Sequence, residues 1–415
     1  MNIPINSTTN LISNLDLNDT DDMYRCGAGW DTFHQEYIKF HGWASLLVCT
    51  FGSIANTLNI AVLTRHEMNS PTNAILTGLA VADLLVMLEY IPYASHMYLY
   101  HRSRRDTYTY GWAVFVLIHS IFTQICHTVS IWLTVTLAIW RYIAVAHPQR
   151  NREWCSYTRT VVAIIGAWII CPLICLPLYF TTEVTPKDEV FTLHGNLPIA
   201  NSTEPLINGT VWFVNLSKTM KANDLLNLLN FCTYSVVIKL IPCVALTILS
   251  LRLIMALMDT KKRRKLLTTT FLVEDSNDRA QDHVYKIRRS RKKSARMLDK
   301  EKQTDRTTKM LLAVLLLFLL TEFPQGVLGL LSVILGTEFF RTCYVKLGEL
   351  MDILALINSA INFILYCAMS RQFRTTFNQL FCRRKLFGRW MPVPQQQNNN
   401  GHTVAAHTVT QITQV

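Results

Sequence analysis

Seven stretches of this chain are long and apolar enough to cross a lipid bilayer, which constrains its fold more than any other feature. They run approximately Gly42–Thr64, Ala74–Tyr98, Trp112–Ile139, Thr160–Phe180, Leu228–Met258, Thr308–Leu335 and Val345–Met369. Crossing the hydrocarbon core takes roughly 20 predominantly apolar residues. No water reaches the backbone there, so every crossing segment must be a helix. The expected architecture is an all-α membrane protein, a seven-helix transmembrane bundle over residues 42–369. Composition agrees: 50% of the 415 residues are hydrophobic and 16% are charged, less charge than a soluble domain carries. The stretches at 112–139 and 228–258 exceed the minimum, which implies tilt or extension into water.

Five Asn-Xaa-Ser/Thr sequons, at Asn6, Asn18, Asn201, Asn208 and Asn215, fall only in residues 1–41 and in the loop after the fourth span. Four crossings separate those segments, so they share a side. Sequons are glycosylated only in lumenal or extracellular compartments. Basic runs fall on the other side: Lys261–Lys265 and Arg288–Lys293 in a cytosolic loop of about 259–307, then Arg371, Arg374, Arg383, Arg384 and Lys385. That is the positive-inside arrangement, giving an extracellular N-terminus and a plasma-membrane, multi-pass protein. Arg102, Arg104 and Arg105 are the exception, lying outside. The net charge of +12 is mostly cytosolic loop charge; it suits anionic lipid or a cytosolic partner and does not imply nucleic acid. Residues 1–41 carry Asp16, Asp19, Asp21 and Asp22 and lack the basic start of a cleavable signal. They are expected to be largely disordered and glycosylated, with the first helix as the insertion signal. Residues 370–382 read as a short amphipathic helix and 383–415, rich in Gln and Asn, as a disordered tail.

Most of the 11 cysteines lie in or near spans and read as small apolar residues. Cys26 and Cys343 lie in outer segments, where disulfides persist. Bridging them would tie the N-terminal segment to the loop before the seventh span; free or intermolecular thiols are the alternative. Cys382 is a candidate for palmitoylation or a plain thiol. The end, Thr413-Gln414-Val415, is either a ligand for a PDZ domain or an ordinary tail.

Ionisable residues inside a membrane are rare and mark function. Asp83 sits mid-span in Leu79–Leu85 with no cation along its own helix. Asn56, Ser130, Asn358 and Asn362 are its candidate partners. A carboxylate ringed by such groups can hold a sodium ion, stay protonated, or serve as a structural network. Nearer the outside come Glu89, Glu322, Glu349 and Asp352. Glu89 lies roughly 9 Å outward of Asp83 at helical rise. Lys239 and His127 are available to pair internally, but four acids against two bases leave a surplus. A cationic ligand is therefore expected to meet Asp352 first and Glu322 second. Pro172, Pro177, Pro242 and Pro324 punctuate the fourth, fifth and sixth spans, as kinks that open cavities or as plain irregularity. The third span stops at Trp140-Arg141-Tyr142, a triplet that alone reads as an interfacial anchor.

Taken in order, several segments resemble the rhodopsin-like (class A) G-protein-coupled receptors from about Trp43 to Phe381. Gly52…Asn56 and Leu79-Ala80-Val81-Ala82-Asp83 resemble the signatures of helices one and two. Trp140-Arg141-Tyr142 is similar to Asp-Arg-Tyr with Trp in place of the acid. Trp168 and Pro242 fit helices four and five. Thr321-Glu322-Phe323-Pro324 stands where Cys-Trp-Xaa-Pro is usual, Asn362–Tyr366 where Asn-Pro-Xaa-Xaa-Tyr is, and Phe373-Arg374…Phe377 fits helix eight. The resemblance implies a switch through Arg141, Tyr142, Pro324, Asn362 and Tyr366, with a heterotrimeric G protein and arrestin as cytosolic partners. The family's usual disulfide between helix three and the following outer loop is absent, since neither 112–123 nor 181–230 contains Cys. The resemblance thus favours the bridge at Cys26–Cys343. More narrowly, Met68–Asn73, Phe122–Thr128, Thr321–Gly326 and Leu350–Ser359 resemble the insect myosuppressin receptors of the FMRFamide-like group, with sex-peptide and myoinhibitory-peptide receptors next. That implies an amidated peptide ending in Arg-Phe as ligand and an inhibitory-type G protein. Gln124 and His127 join Asp352, Glu322, Glu89 and Glu349 as ligand-site candidates.

An ion-coupled transporter or channel is the competing class, although no half of the chain repeats the other. A retinal-binding opsin would need a mid-span Lys in the seventh helix, whereas Lys346 lies at its edge. No nucleotide loop, metal cluster or nucleophile triad points to an enzyme, and no cofactor beyond sodium is expected.

Overall fold

The structure, a computed structural model, describes residues 26–100, 102–198, 205–274, 313, 316–336 and 338–381. Seven helices have the length and hydropathy of membrane spans. They comprise α1 (Ala28–Leu63), α2 (Pro71–Ala94), α3 (Tyr110–Ala146), α4 (Tyr157–Ile174), α5 (Ile241–Glu274), α6 (Leu316–Gly336) and α7 (Gly348–Met369), followed by the short α8 (Arg371–Phe381). The all-α seven-helix bundle is the observed fold. Asn6, Asn18, Asn201, Cys382, the Thr413–Val415 end and most of the cytosolic loop lie outside the described residues.

Lipid and core are sorted by face. Ile165, Ile169, Ile170 and Leu173 on α4 and Val244, Ile248 and Leu251 on α5 point outward, as a bilayer-facing surface requires. Inward, Ile75, Leu79, Leu133, Leu137 and Tyr366 pack one end of the bundle with Phe373 of α8. Cys49, Met87, Tyr90, Cys126 and Leu356 pack the other end. Gly52 shows how tightly α1 meets its neighbours: a Cβ there would lie 2.8 Å from Met87 Sδ and 3.1 Å from Ala360 Cβ.

Two sequence expectations need correction. Residues 28–41 are not a disordered segment but the first turns of α1. Their mixed composition hides them from a hydropathy window, because they rise beyond the hydrocarbon and are held by tertiary contacts. Cys26 is disulfide-bonded to Cys343 with Cα atoms 5.4 Å apart. Asp31 pairs with Lys346, and His34 Nδ1 lies 3.4 Å from Glu349. The Trp140–Tyr142 triplet, in turn, does not end α3, which continues to Ala146.

The prolines act locally. Pro172 precedes the end of α4, and Pro177 opens a separate short turn, Leu176–Tyr179. Before Pro242, Asp224–Cys232 is α-helical and Thr233–Leu240 is π-helical, a wide turn that accommodates the N–H which Pro242 lacks. Between α4 and α5 stands a two-stranded antiparallel hairpin, β1 (Thr182–Thr192) and β2 (Leu206–Leu216), which sequence reasoning had read only as a loop.

Candidate functional site

The acids expected near the outer end differ sharply once their partners are seen. Glu322, on α6 two residues before Pro324, is wholly buried and lies 2.5 Å from Lys239 Nζ. His127 Nε2 of α3 is 3.2 Å away. Three helices therefore meet at one ion cluster. The approach is close because α6 presents glycines to the π-helical turns before α5: a Cβ on Gly326 would sit 3.0 Å from Lys239 Cβ, and one on Gly329 2.3 Å from Ser235 Oγ. One turn outward, Gln325 Nε2 donates to Tyr234 Oη at 2.5 Å.

Glu89 of α2 pairs with His119 of α3 and accepts a 2.8 Å bond from Thr123 Oγ1. Tyr93 stacks on that imidazole with ring centres 4.0 Å apart. Glu349, 1% exposed, faces His34. Asp352, one turn along α7 and only partly buried, has no ion pair among the described residues. The next residue of α7, Ile353, packs in the cluster that holds Tyr90 and Tyr93. Tyr37, His41 and Tyr90 belong to an aromatic cluster in which His41 Nε2 bonds Tyr90 Oη at 3.0 Å. Gln124, a ligand-site candidate, instead donates to Thr128 Oγ1 of its own helix at 3.2 Å. Sequence reasoning found Lys239 and His127 as bases but missed His119 and His34. The i, i+4 spacing of His119 and Thr123 was the available signal, since it puts both on one face of α3.

Midway down, Asp83 is 1% exposed. Ser130 Oγ donates to its Oδ1 at 2.8 Å and Asn362 Nδ2 to its Oδ2 at 3.1 Å. Ser359 is buried beside them, and Asn56 Nδ2 reaches its carbonyl at 3.1 Å. Asn358, one residue away, shows no bond to Asp83 among the described residues and stands half-buried. A one-residue step on a helix turns the side chain by about 100°, so Ser359 takes the inward place.

At the far end, Arg141 Nε is buried with no hydrogen-bond partner, and the nearby group acting on its charge is Tyr366. Trp140 turns away from it: its Nε1 donates to Thr160 Oγ1 of α4 at 2.9 Å, and its ring joins the core. Tyr142 meets the His147 ring edge-on at 6.0 Å. Arg374 of α8 donates to the carbonyls of Cys367 and Ala368 at 2.8 and 2.9 Å, capping α7.

The described residues thus place an acid-lined, aromatic end, a polar middle around Asp83 and the unpartnered Nε of Arg141 along one bundle, and known proteins resemble this chain in sequence. The family model of the serpentine-type seven-transmembrane chemoreceptors (Srw) matches residues 43–282 and 283–384. The G-protein coupled receptor dmsr-1 of Caenorhabditis elegans is 28% identical over 369 residues, 84% of this chain and 69% of that protein. The sex peptide receptor of Drosophila melanogaster is 30% identical over 351 residues, 82% of this chain and 71% of its own. The FMRFamide receptor of the same fly is 25% identical over 354 residues, covering 82% and 53%. The chain belongs to the seven-transmembrane G-protein-coupled receptors, and is a multi-pass membrane protein of that family.

Proposed function

We propose that this receptor is activated by an amidated peptide ending in Arg-Phe, of the myosuppressin type, and signals through a heterotrimeric G protein of the inhibitory class. The observation that carries the reading is Asp352: of the outer acids it alone lacks an ion-pair partner among the described residues, and its neighbour on α7, Ile353, packs in one cluster with Tyr90 and Tyr93. A peptide guanidinium would gain a charge-assisted pair there and an aromatic face to lie on. An amidated end brings no carboxylate to oppose it. The relatives named as FMRFamide and sex peptide receptors support a peptide ligand. The sex peptide receptor also favours a second reading, a myoinhibitory-type peptide. In transfected cells, a panel of Arg-Phe-amide peptides should evoke responses that myoinhibitory peptides do not. The reverse order of potency would exchange the two readings.

Glu322 has its own role in this account. Lys239 and His127 both bond its Oε2, so it serves as a tie between α3, the π-helical turns before α5, and α6 rather than as the first ligand contact. Ligand binding at Asp352 favours the arrangement in which α6 moves about Pro324, and the equilibrium shifts by the difference in affinity. Arg141 and Tyr366 then meet the G protein and afterwards arrestin. Asp83, with the hydroxyl oxygens of Ser130 and Ser359, offers hard oxygen ligands that suit a sodium ion. Ligand affinity that falls with sodium in wild type, and not in Asp83→Asn, is the expected sign. The N-terminus faces outward, with glycans at Asn6, Asn18, Asn201, Asn208 and Asn215. Asn208 stands exposed on β2, whereas Asn215 Nδ2 donates to Thr185 Oγ1 at 2.6 Å. Cys382 carries the palmitoyl group, and Thr413–Val415 is offered to a PDZ domain.

A further inference from the structure

The β1–β2 hairpin poses a physical problem. An isolated two-stranded hairpin is marginal in water, and no cysteine lies within 181–230 to pin this one. Its ends lead out of α4 and into the helical turns before α5, so it stands beside the outer mouth of the bundle. Something must hold its middle.

Residues 103–108, between α2 and α3, supply that hold. Arg104 Nε donates to Glu189 Oε2 at 2.7 Å and its Nη2 to Oε1 at 3.1 Å, a two-point pair. The Glu189 side chain is only 8% exposed. The same guanidinium lies over the Tyr108 and Phe213 rings, 5.3 and 5.4 Å from their centres. Backbone bonds flank the pair: Trp212 N–H donates to the Tyr108 carbonyl at 2.9 Å, and Arg105 N–H to the Gly195 carbonyl at 3.1 Å. Gly195 has φ +76°, and a Cβ on it would meet Ser103 Oγ at 2.7 Å, so the hairpin loop is pressed onto this segment. Register puts Lys187, Glu189, Phe191, Val211 and Phe213 on one face, and Phe191, Val211 and Phe213 form a small core with Tyr108. Trp212 meets Tyr110, the first residue of α3, with ring centres 4.9 Å apart.

We infer that Arg104 and Glu189 are positioning residues that hold the hairpin on the outer end of α3 and thereby keep the peptide's route to Asp352 open. The inference rests on the ligand reading above for its kinetic consequence, but not for the clasp itself. Arg104 raises a sharp question of sign. It is a cation beside the route of a cationic ligand. If it acted only through charge, removing it would speed association, and removing Glu189 would slow it. A positioning pair predicts slower association in both cases.

The test uses the full receptor in membranes at matched surface level, with an Arg-Phe-amide peptide as probe. Arg104→Gln and Glu189→Gln should each slow association at least fivefold, and the reversed pair, Arg104→Glu with Glu189→Arg, should recover most of that loss when Lys187, which also lies 2.8 Å from Glu189, is changed to Gln. Arg102→Gln is the control, since Arg102 is exposed and lies over Tyr100 rather than on an acid. It should leave association unchanged. Hydrogen exchange across 206–216 should quicken in both single variants and slow again in the reversed pair. Faster association in Arg104→Gln, or no recovery in the reversed pair, overturns the inference. Should wild type respond to no Arg-Phe-amide peptide, the ligand reading fails. Hydrogen exchange then decides the clasp alone, and unchanged protection in Arg104→Gln would refute it.

Discussion

Glu322 and Arg141 are both charges within the bundle, yet the fold treats them in opposite ways. Glu322 has cationic partners on two other helical segments, Lys239 at 2.5 Å and His127 at 3.2 Å, although its Oε1 accepts no hydrogen bond. Around Arg141 no acid pairs among the described residues: Trp140 occupies the position beside it and bonds to α4, and Nε has no partner there. Among the described residues, the ionic hold within the bundle therefore joins α3, α6 and the turns before α5, at the opposite half from Arg141. In the mechanism proposed above, a signal that releases α6 acts on that tie, while packing restrains Arg141.

Breaking the upper tie should have the largest effect. Glu322→Ala strands the Lys239 ammonium in a fully buried site, at a cost of about 3–5 kcal/mol. Surface expression should collapse. The paired change Glu322→Gln with Lys239→Met strands no charge and should restore expression, with ligand-free signalling above wild type. Basal signalling equal to wild type in that double variant would show that the tie does not hold the resting state.

Asp352→Asn comes next. Removing one partner of a charge-assisted bond is worth about 1.5–3 kcal/mol, so peptide potency should fall roughly 10- to 100-fold at matched expression. The lower end gives a smaller effect. Trp140→Asp restores an acid next to Arg141 and should lower ligand-free signalling, whereas Trp140→Phe, which also loses the bond to Thr160, should not. Equal effects of the two would assign the change to packing instead.

The smallest expected effect is a flat line. Arg104 hydrogen-bonded to Glu189 lowers that carboxyl from 4.5 to about 2. A depressed folded pKa adds stability that is complete above the unfolded value and is lost as pH falls towards about 2. Hairpin protection from exchange, corrected for intrinsic rate, should therefore be the same at pH 8 and pH 5. A loss of protection between them would contradict the clasp.

The sequence made the bundle legible because a bilayer imposes one strict requirement on apolar length, and seven stretches met it. It also exposed Asp83, Arg141 and the outer acids, since charges stand out against such a background. Three things stayed hidden for physical reasons. Residues 28–41 and the hairpin stand where water is near, so their stability comes from the Cys26–Cys343 bridge and the Arg104–Glu189 pair, not from composition. Helix rotation decided between Asn358 and Ser359 at Asp83. And histidine pairs such as Glu89–His119 depend on which faces of two helices meet, which a single chain's order does not encode.

The central claim is that Asp352, and not Glu322, receives the ligand's cation. A double-mutant cycle tests it directly, combining Arg→Ala in an Arg-Phe-amide peptide with Asp352→Asn, and in parallel with Glu322→Gln, in the receptor. The account predicts strong coupling with Asp352→Asn, about 1.5–3 kcal/mol, and near additivity with Glu322→Gln. Additivity at Asp352 together with coupling at Glu322 would contradict it.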